Sequence, residues 1–145
     1  MEFILEELKD EDVAICANYI SEEYELLTGT PPSVSRRGSL VVAALQHYTA
    51  YKVIDETGKI VAFIMYDDNY PYLHIVSWYI ARGYRKSKPL YLISKTIADK
   101  VKTYEYVVFQ RLHRSMQLPK SVCIGERIDN TNYLKWFNIL EKRWG

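Results

Sequence analysis

The chain has 145 residues, 48% hydrophobic and 26% charged, with a formal net charge of +1. This length accommodates one hydrophobic core, and the near-average composition excludes collagenous, coiled-coil, mucin-like and disordered chains; residues 1–145 are expected to form a single domain. No run approaches the roughly 18–20 apolar residues of a membrane helix, and the acidic start Met1-Glu2-Phe3 resembles neither a signal nor a transit peptide, so a cytoplasmic protein is expected. Cys16 and Cys123 are far apart, and His47, His74 and His113 lack the spacing of a zinc site, so no metal or disulfide is expected. Balanced charge argues against whole-molecule attraction to nucleic acid. Tyrosine stands out, with 13 residues against 4 Phe and 3 Trp, as does the low count of 6 Gly.

Phe3 to Leu8 reads as a first strand, and Lys9-Asp10-Glu11-Asp12 as a helix start. Val13, Ala17, Ile20, Tyr24 and Leu27 form the apolar stripe of that helix, which Thr28-Gly29-Thr30-Pro31-Pro32 ends. A second helix is predicted over Leu40 to Tyr48, capped by Ser33 or Ser35. The period then changes: Tyr51–Asp55 and Lys59–Tyr66 form a hairpin about Glu56-Thr57-Gly58, and Tyr72–Ile80 is a central strand. A basic loop follows, Ala81-Arg82-Gly83-Tyr84-Arg85-Lys86-Ser87-Lys88-Pro89, whose Ser87 and Pro89 suit a helix start. Leu90, Ile93, Ile97 and Val101 carry that helix. Tyr104, Val108 and Leu112 continue the spacing while strand propensity is high, so residues 104–116 either prolong this helix, the preferred reading, or form a strand. Ser121–Ile128 reads as a strand, and Asp129-Asn130-Thr131-Asn132 as the cap of a final helix holding Leu134, Phe137, Leu140 and Trp144.

The order implies an α/β fold with a mixed central sheet and helices on both faces, in which ligands bind at the carboxyl ends of strands. Arg82, Arg85, Lys86 and Lys88 sit at a helix N-terminus, whose free N–H groups already favour an anion. Here the chain resembles the GNAT (GCN5-related N-acetyltransferase) superfamily. Ile80-Ala81-Arg82-Gly83-Tyr84-Arg85 is similar to the approach to that family's Arg/Gln-x-x-Gly-x-Gly/Ala turn, with Lys88 and Leu90 standing where the family has small residues. Asn130 to Phe137 is similar to its Asn-led final motif, with Phe137 at the usual tyrosine. The resemblance implies a GNAT-like (acyl-CoA N-acyltransferase) architecture and binding of acetyl-CoA by Ile80, Arg82, Arg85, Lys86, Ser87, Lys88 and Asn130. It also implies acetyl transfer to an amine acceptor, either a small molecule or a protein lysine or N-terminus. The strand Tyr72–Ile80 has no carboxylate, which leaves His74, or Asp67 or Asp68 at the neighbouring turn, as the base.

Each feature also has a plainer reading. The basic loop is a solvated turn, His74 a hydrogen-bonded core histidine, Asn130 a helix cap, and the cysteines small core residues. Ser35-Arg36-Arg37-Gly38-Ser39 is a solvated helix edge or an acceptor contact. The departures from the family turn fit a second function, a catalytically inactive GNAT-like protein of phage origin that acts in a virion, in assembly or on its host through a protein partner or a second copy of itself. A third is a nucleic-acid module built from the basic loop, Arg111, Arg114, Lys120 and nearby tyrosines.

Overall fold

A computed structural model of the chain describes residues 2–29, 49–112 and 123–145. The described elements are β1 (Ile4–Glu7), a 3-10 turn (Asp10–Asp12), α1 (Val13–Thr28), β2 (Thr49–Ile54), β3 (Ile60–Asn69), β4 (Tyr72–Ile80), α2 (Lys88–Val101), β5 (Tyr106–Leu112), β6 (Cys123–Asp129) and α3 (Asn130–Trp144). The helix expected over residues 40–48 and the Ser35–Ser39 stretch lie outside the described residues, as do Arg114 and Lys120.

The six strands line up in sequence order, and every neighbouring pair is antiparallel except β4 and β5, which run parallel. The β2–β3 turn is made by the residues that announce it. Asp55 Oδ1 accepts hydrogen bonds from the N–H groups of Thr57 and Lys59 at 2.9 and 3.0 Å, and Gly58 takes the left-handed conformation at φ 88°. Likewise α1 ends on Gly29 at φ 80°, whose N–H bonds the Glu25 carbonyl at 2.8 Å.

Helices cover both faces. On one, Ile93, Ile97 and Val101 of α2 and Tyr133, Phe137 and Leu140 of α3 pack on Val61, Ile64, Leu73, Ile75 and Val107. On the other, Cys16, Tyr19 and Ile20 of α1 pack on Ile60, Phe63, Met65 and Tyr79. Several of these residues have no exposed surface, so burial of β-branched and aromatic side chains is the main stabilising term.

One expected element is corrected. Residues 106–112 are not an extension of α2, which ends at Val101; they form β5, paired on one side with β4 and on the other with β6. The spacing that suggested a helix was a step of four, which also keeps residues on one face of a strand, because four is a multiple of the strand period of two. Residues 106–109 pair on both sides and the whole segment pairs with β6, and Val107 is fully buried. The parallel neighbour of β4 is therefore β5, with β6 outside it.

Candidate functional site

The β4–β5 pairing runs only from Tyr72↔Tyr106 to Ile75↔Phe109. At that point β4 bulges: Tyr66 of β3 faces Ile75 while Met65 faces Ser77, so Val76 is an extra residue. The bulge reverses which residues face which helix layer. Leu73 and Ile75 point to the α2 and α3 side before it, and Trp78 and Ile80 do so after it. Beyond Ile75 the two strands part, although β4 continues to Ile80 and β5 to Leu112. The N–H of Ala81 bonds the Val61 carbonyl at 2.8 Å, and antiparallel pairing alternates, so Trp78 and Ile80 turn their backbone groups away from β3 towards this opening.

The opening leads into the basic loop. Tyr84 N–H closes a turn on the Ala81 carbonyl at 3.0 Å, with Gly83 at φ 93°. Lys86 is left-handed at φ 68°. The Ser87 hydroxyl donates back to the Tyr84 carbonyl rather than capping α2. Leu90 N–H bonds the Ser87 carbonyl at 3.1 Å, and Pro89 has no N–H. The N–H groups of Lys86, Ser87 and Lys88 have no hydrogen-bond partner among the described residues. Free amides at a helix start favour an anion, and the exposed Lys86 and Lys88 lie beside them, although Ser87 is extended at φ −143° and ψ −176°.

The two arginines are engaged elsewhere. Arg82 and Arg85 each place Nη2 3.2 Å from a carboxylate oxygen of Glu23 in α1. Arg85 also donates from Nε to the Ile80 carbonyl at 2.8 Å, and its guanidinium lies 5.7 Å from the Tyr79 ring centre. Glu23 is absent from the sequence-based site. Its signal is its position, three residues after Ile20 and in step with Cys16 and Ile20, which puts a carboxylate on the buried face of α1.

Other expected site residues are not brought to the opening. His74 is half-buried in the zipped part of β4, opposite Asp67 and beside Val108; at about 3.3 Å per residue it is roughly 20 Å from Ile80. Asp67 and Asp68 share that far end of β3, and Asp68 pairs with Lys100 at 3.5 Å. Asn130 opens α3 beside the start of β5, because β6 runs antiparallel to it and Asp129 faces Tyr106. There it ties two elements together: its Nδ2 donates to the Tyr104 carbonyl at 2.5 Å and its N–H to the Glu105 carbonyl at 3.0 Å. The cap of α3 is Asp129, which accepts from Asn132 N–H at 2.7 Å.

The α3 side of the opening is aromatic. Trp78 of β4 and Trp136 of α3 have ring centres 5.9 Å apart, and Phe137 stacks on Tyr91 of α2 at 5.6 Å. Tyr133 is buried and donates its hydroxyl to the Ser94 carbonyl at 2.9 Å; burial pushes its phenol far above the ordinary range. Among the described residues no group of three or more His, Cys, Asp or Glu is placed to hold a metal, and no helix is long and apolar enough to cross a membrane.

This mixed sheet, with β4 and β5 parting above a loop-to-helix turn, is the fold of GNAT acyl-CoA N-acyltransferases. A GNAT-family acetyltransferase of Desulfovibrio desulfuricans superposes with a TM-score of 0.62 at 9% identity, over 89% of this chain and 99% of that one. A GNAT-family acetyltransferase from Staphylococcus aureus gives 0.61 at 11% identity, covering 82% and 79% of the two chains. The PaiA N-acetyltransferase of Thermoplasma acidophilum, solved in complex with coenzyme A, gives 0.57 at 12% identity over 83% and 85%. No protein-family model matches the sequence, and no curated protein matches it. At these identities the likeness is one of fold.

Proposed function

We propose that the chain is an acetyl-CoA-binding N-acetyltransferase domain acting on an amine. The observation that carries this reading is the parting of β4 from β5 at the Val76 bulge, which opens towards three amides at the start of α2 that have no partner among the described residues. The residues present fit the group: the N–H groups of Lys86, Ser87 and Lys88, with the two lysine ammonium groups, suit a pyrophosphate, and the edge of β4 at Trp78 and the Ile80 N–H, the Ile80 carbonyl being held by Arg85, suits an extended amide-bearing chain. Arg85 is a structural brace in this reading rather than a phosphate ligand, and Arg82, with its side chain 57% exposed, is the arginine able to turn to a phosphate.

When bound, acetyl-CoA supplies an activated acyl carbonyl. The chain's own contribution is to hold the phosphates at Lys86–Lys88, to align the edge of β4, and to exclude water with Trp78 and Trp136. His74 lies away from the opening, Tyr133 gives its hydroxyl to a backbone carbonyl, and Phe137 has none, so the reading rests on positioning rather than on acid–base catalysis. Calorimetry with acetyl-CoA tests it: a saturable heat that is lost in Lys86→Glu supports the reading, and no heat at millimolar ligand removes it. Thiol release in the presence of candidate amines then tests transfer.

The contact of Trp78 with Trp136 across the opening favours a second reading, a protein that keeps this fold without transfer and works through its surface. Tyr72 and Tyr106 stack at 5.7 Å, Arg127 lies 4.6 Å from the centre of the Tyr106 ring, and these side chains are only partly buried or exposed. Such amphipathic rings suit a protein interface. Sedimentation and pull-down with and without acetyl-CoA distinguish the two.

A further inference from the structure

Lys86 holds a conformation that side chains bearing a Cβ rarely adopt, and it is the only described non-glycine residue to do so. Such a residue persists where its surroundings over-determine it. Its own side chain is exposed, so the constraint comes from its neighbours. On one side Arg85 is fixed by three contacts, the Ile80 carbonyl at 2.8 Å, Glu23 at 3.2 Å and the Tyr79 ring at 5.7 Å. On the other, Ser87 is fixed by its hydroxyl bond to the Tyr84 carbonyl. Glu23 is the member of this set that comes from another layer. Its side chain is 12% exposed, and its Oε2 is buried without a hydrogen bond among the described residues, where it faces Arg85 as an ion pair.

We propose that Glu23 is a positioning residue for the anion site: by anchoring Arg85 it keeps Lys86 left-handed, and so fixes the course of the backbone that presents the N–H groups of Lys86, Ser87 and Lys88 at the start of α2. This rests on reading the turn as an anion site. The proposal opposes simple charge arithmetic. A carboxylate beside a phosphate site repels the ligand, so on electrostatics alone removing it strengthens binding. On the positioning account, removing it lets Lys86 relax to the right-handed region and redirects the backbone that carries these amides.

The experiment measures coenzyme A affinity by calorimetry at constant ionic strength for the wild type, Glu23→Gln, Lys86→Gly and the double variant, together with the Lys86 Cα and Cβ chemical shifts and the melting temperature. Glu23→Gln is expected to weaken binding by about tenfold, the scale set by the cost of the left-handed conformation, with the shifts of Lys86 moving towards right-handed values and the fold retained. In the Lys86→Gly background the same substitution has little further effect, because glycine adopts this conformation without strain. Equal or tighter binding by Glu23→Gln, or an equal loss in both backgrounds, overturns the proposal. If the wild type does not bind coenzyme A, the anion-site reading falls, and the Lys86 shifts alone decide whether Glu23 sets the turn: unchanged shifts in Glu23→Gln overturn that too.

Discussion

Lys52 Nζ in β2 lies 2.6 Å from Asp12 Oδ2 at the start of α1, with both side chains at most 10% exposed. Asp12 Oδ2 also accepts the Lys9 N–H at 2.9 Å, and Glu6 stands 3.6 Å from the same ammonium. This buried pair joins β2 to the helix that carries Glu23. Burial alone raises the Asp12 carboxyl and lowers the Lys52 ammonium. The hydrogen bond between them, with the Lys9 amide and the charges around it, outweighs burial and leaves Asp12 below its ordinary value of 3.8 and Lys52 above its 10.5.

The pair gives stability a flat top with two edges. The Asp12 contribution is complete above its unfolded value and is lost as pH falls through the lower folded one; that of Lys52 is complete below 10.5 and is lost as pH rises through the higher folded one. Urea midpoints measured against pH are expected to fall on both sides, with Asp12→Asn flattening the acid edge. Lys52→Met is expected to cost about 3–5 kcal/mol near neutral pH, because it strands a buried carboxylate. Glu6→Gln costs less than about 1 kcal/mol, since that contact is longer and Glu6 is partly exposed.

Charge reversal at the two lysines probes the anion site directly. Lys86→Glu and Lys88→Glu are each expected to weaken coenzyme A binding by at least about tenfold and to shallow its salt dependence, as fewer counter-charges meet the phosphates. Calorimetry over a range of sodium chloride concentrations reads both effects.

The paired indoles report on the opening. Entry of a ligand beside β4 is expected to change the intrinsic fluorescence of the wild type, and Trp136→Phe is expected to remove much of that change. A ligand that binds with no fluorescence response in the wild type places the site away from Trp78 and Trp136.

Tyr133 serves the packing of α3 on α2. Tyr133→Phe is expected to cost about 1 kcal/mol of unfolding free energy and to leave coenzyme A affinity unchanged. A loss of acetyl transfer with stability and affinity preserved assigns the hydroxyl a part in the reaction.

Cys16 is buried on the sheet-facing side of α1, and desolvation, followed by the nearby charge of Asp12, pushes its thiol up to about 12. Iodoacetamide at about pH 8 is expected to leave Cys16 unmodified in the native protein and to label it in urea, as read by peptide mass mapping.

Much of the scaffold was legible because its signals are local. Asp55, Thr57 and Gly58 encode their turn, Gly29 ends α1, and the alternation of β3 and β4 survives in the buried faces. Segment 106–112 is ambiguous along the chain because a spacing of four fits both a helix and a strand, and only its neighbours β4 and β6 decide between them. Asn130 carried the motif but opens the wrong end of the sheet, since the direction of β6 depends on pairing rather than on the residues of α3.

By itself the sequence determined the α/β class, the strand-to-helix junction at 80–90 and the unusual basic turn, each a property of residues close together in the chain. Tertiary structure decided which cations in that turn pair with a carboxylate of α1. Arg82 and Arg85 look no different from Lys86 and Lys88 along the chain, until α1 folds back and places Glu23 within 3.2 Å of both guanidinium groups. An ion pair across 59 residues leaves no local pattern, because it depends on how two layers pack.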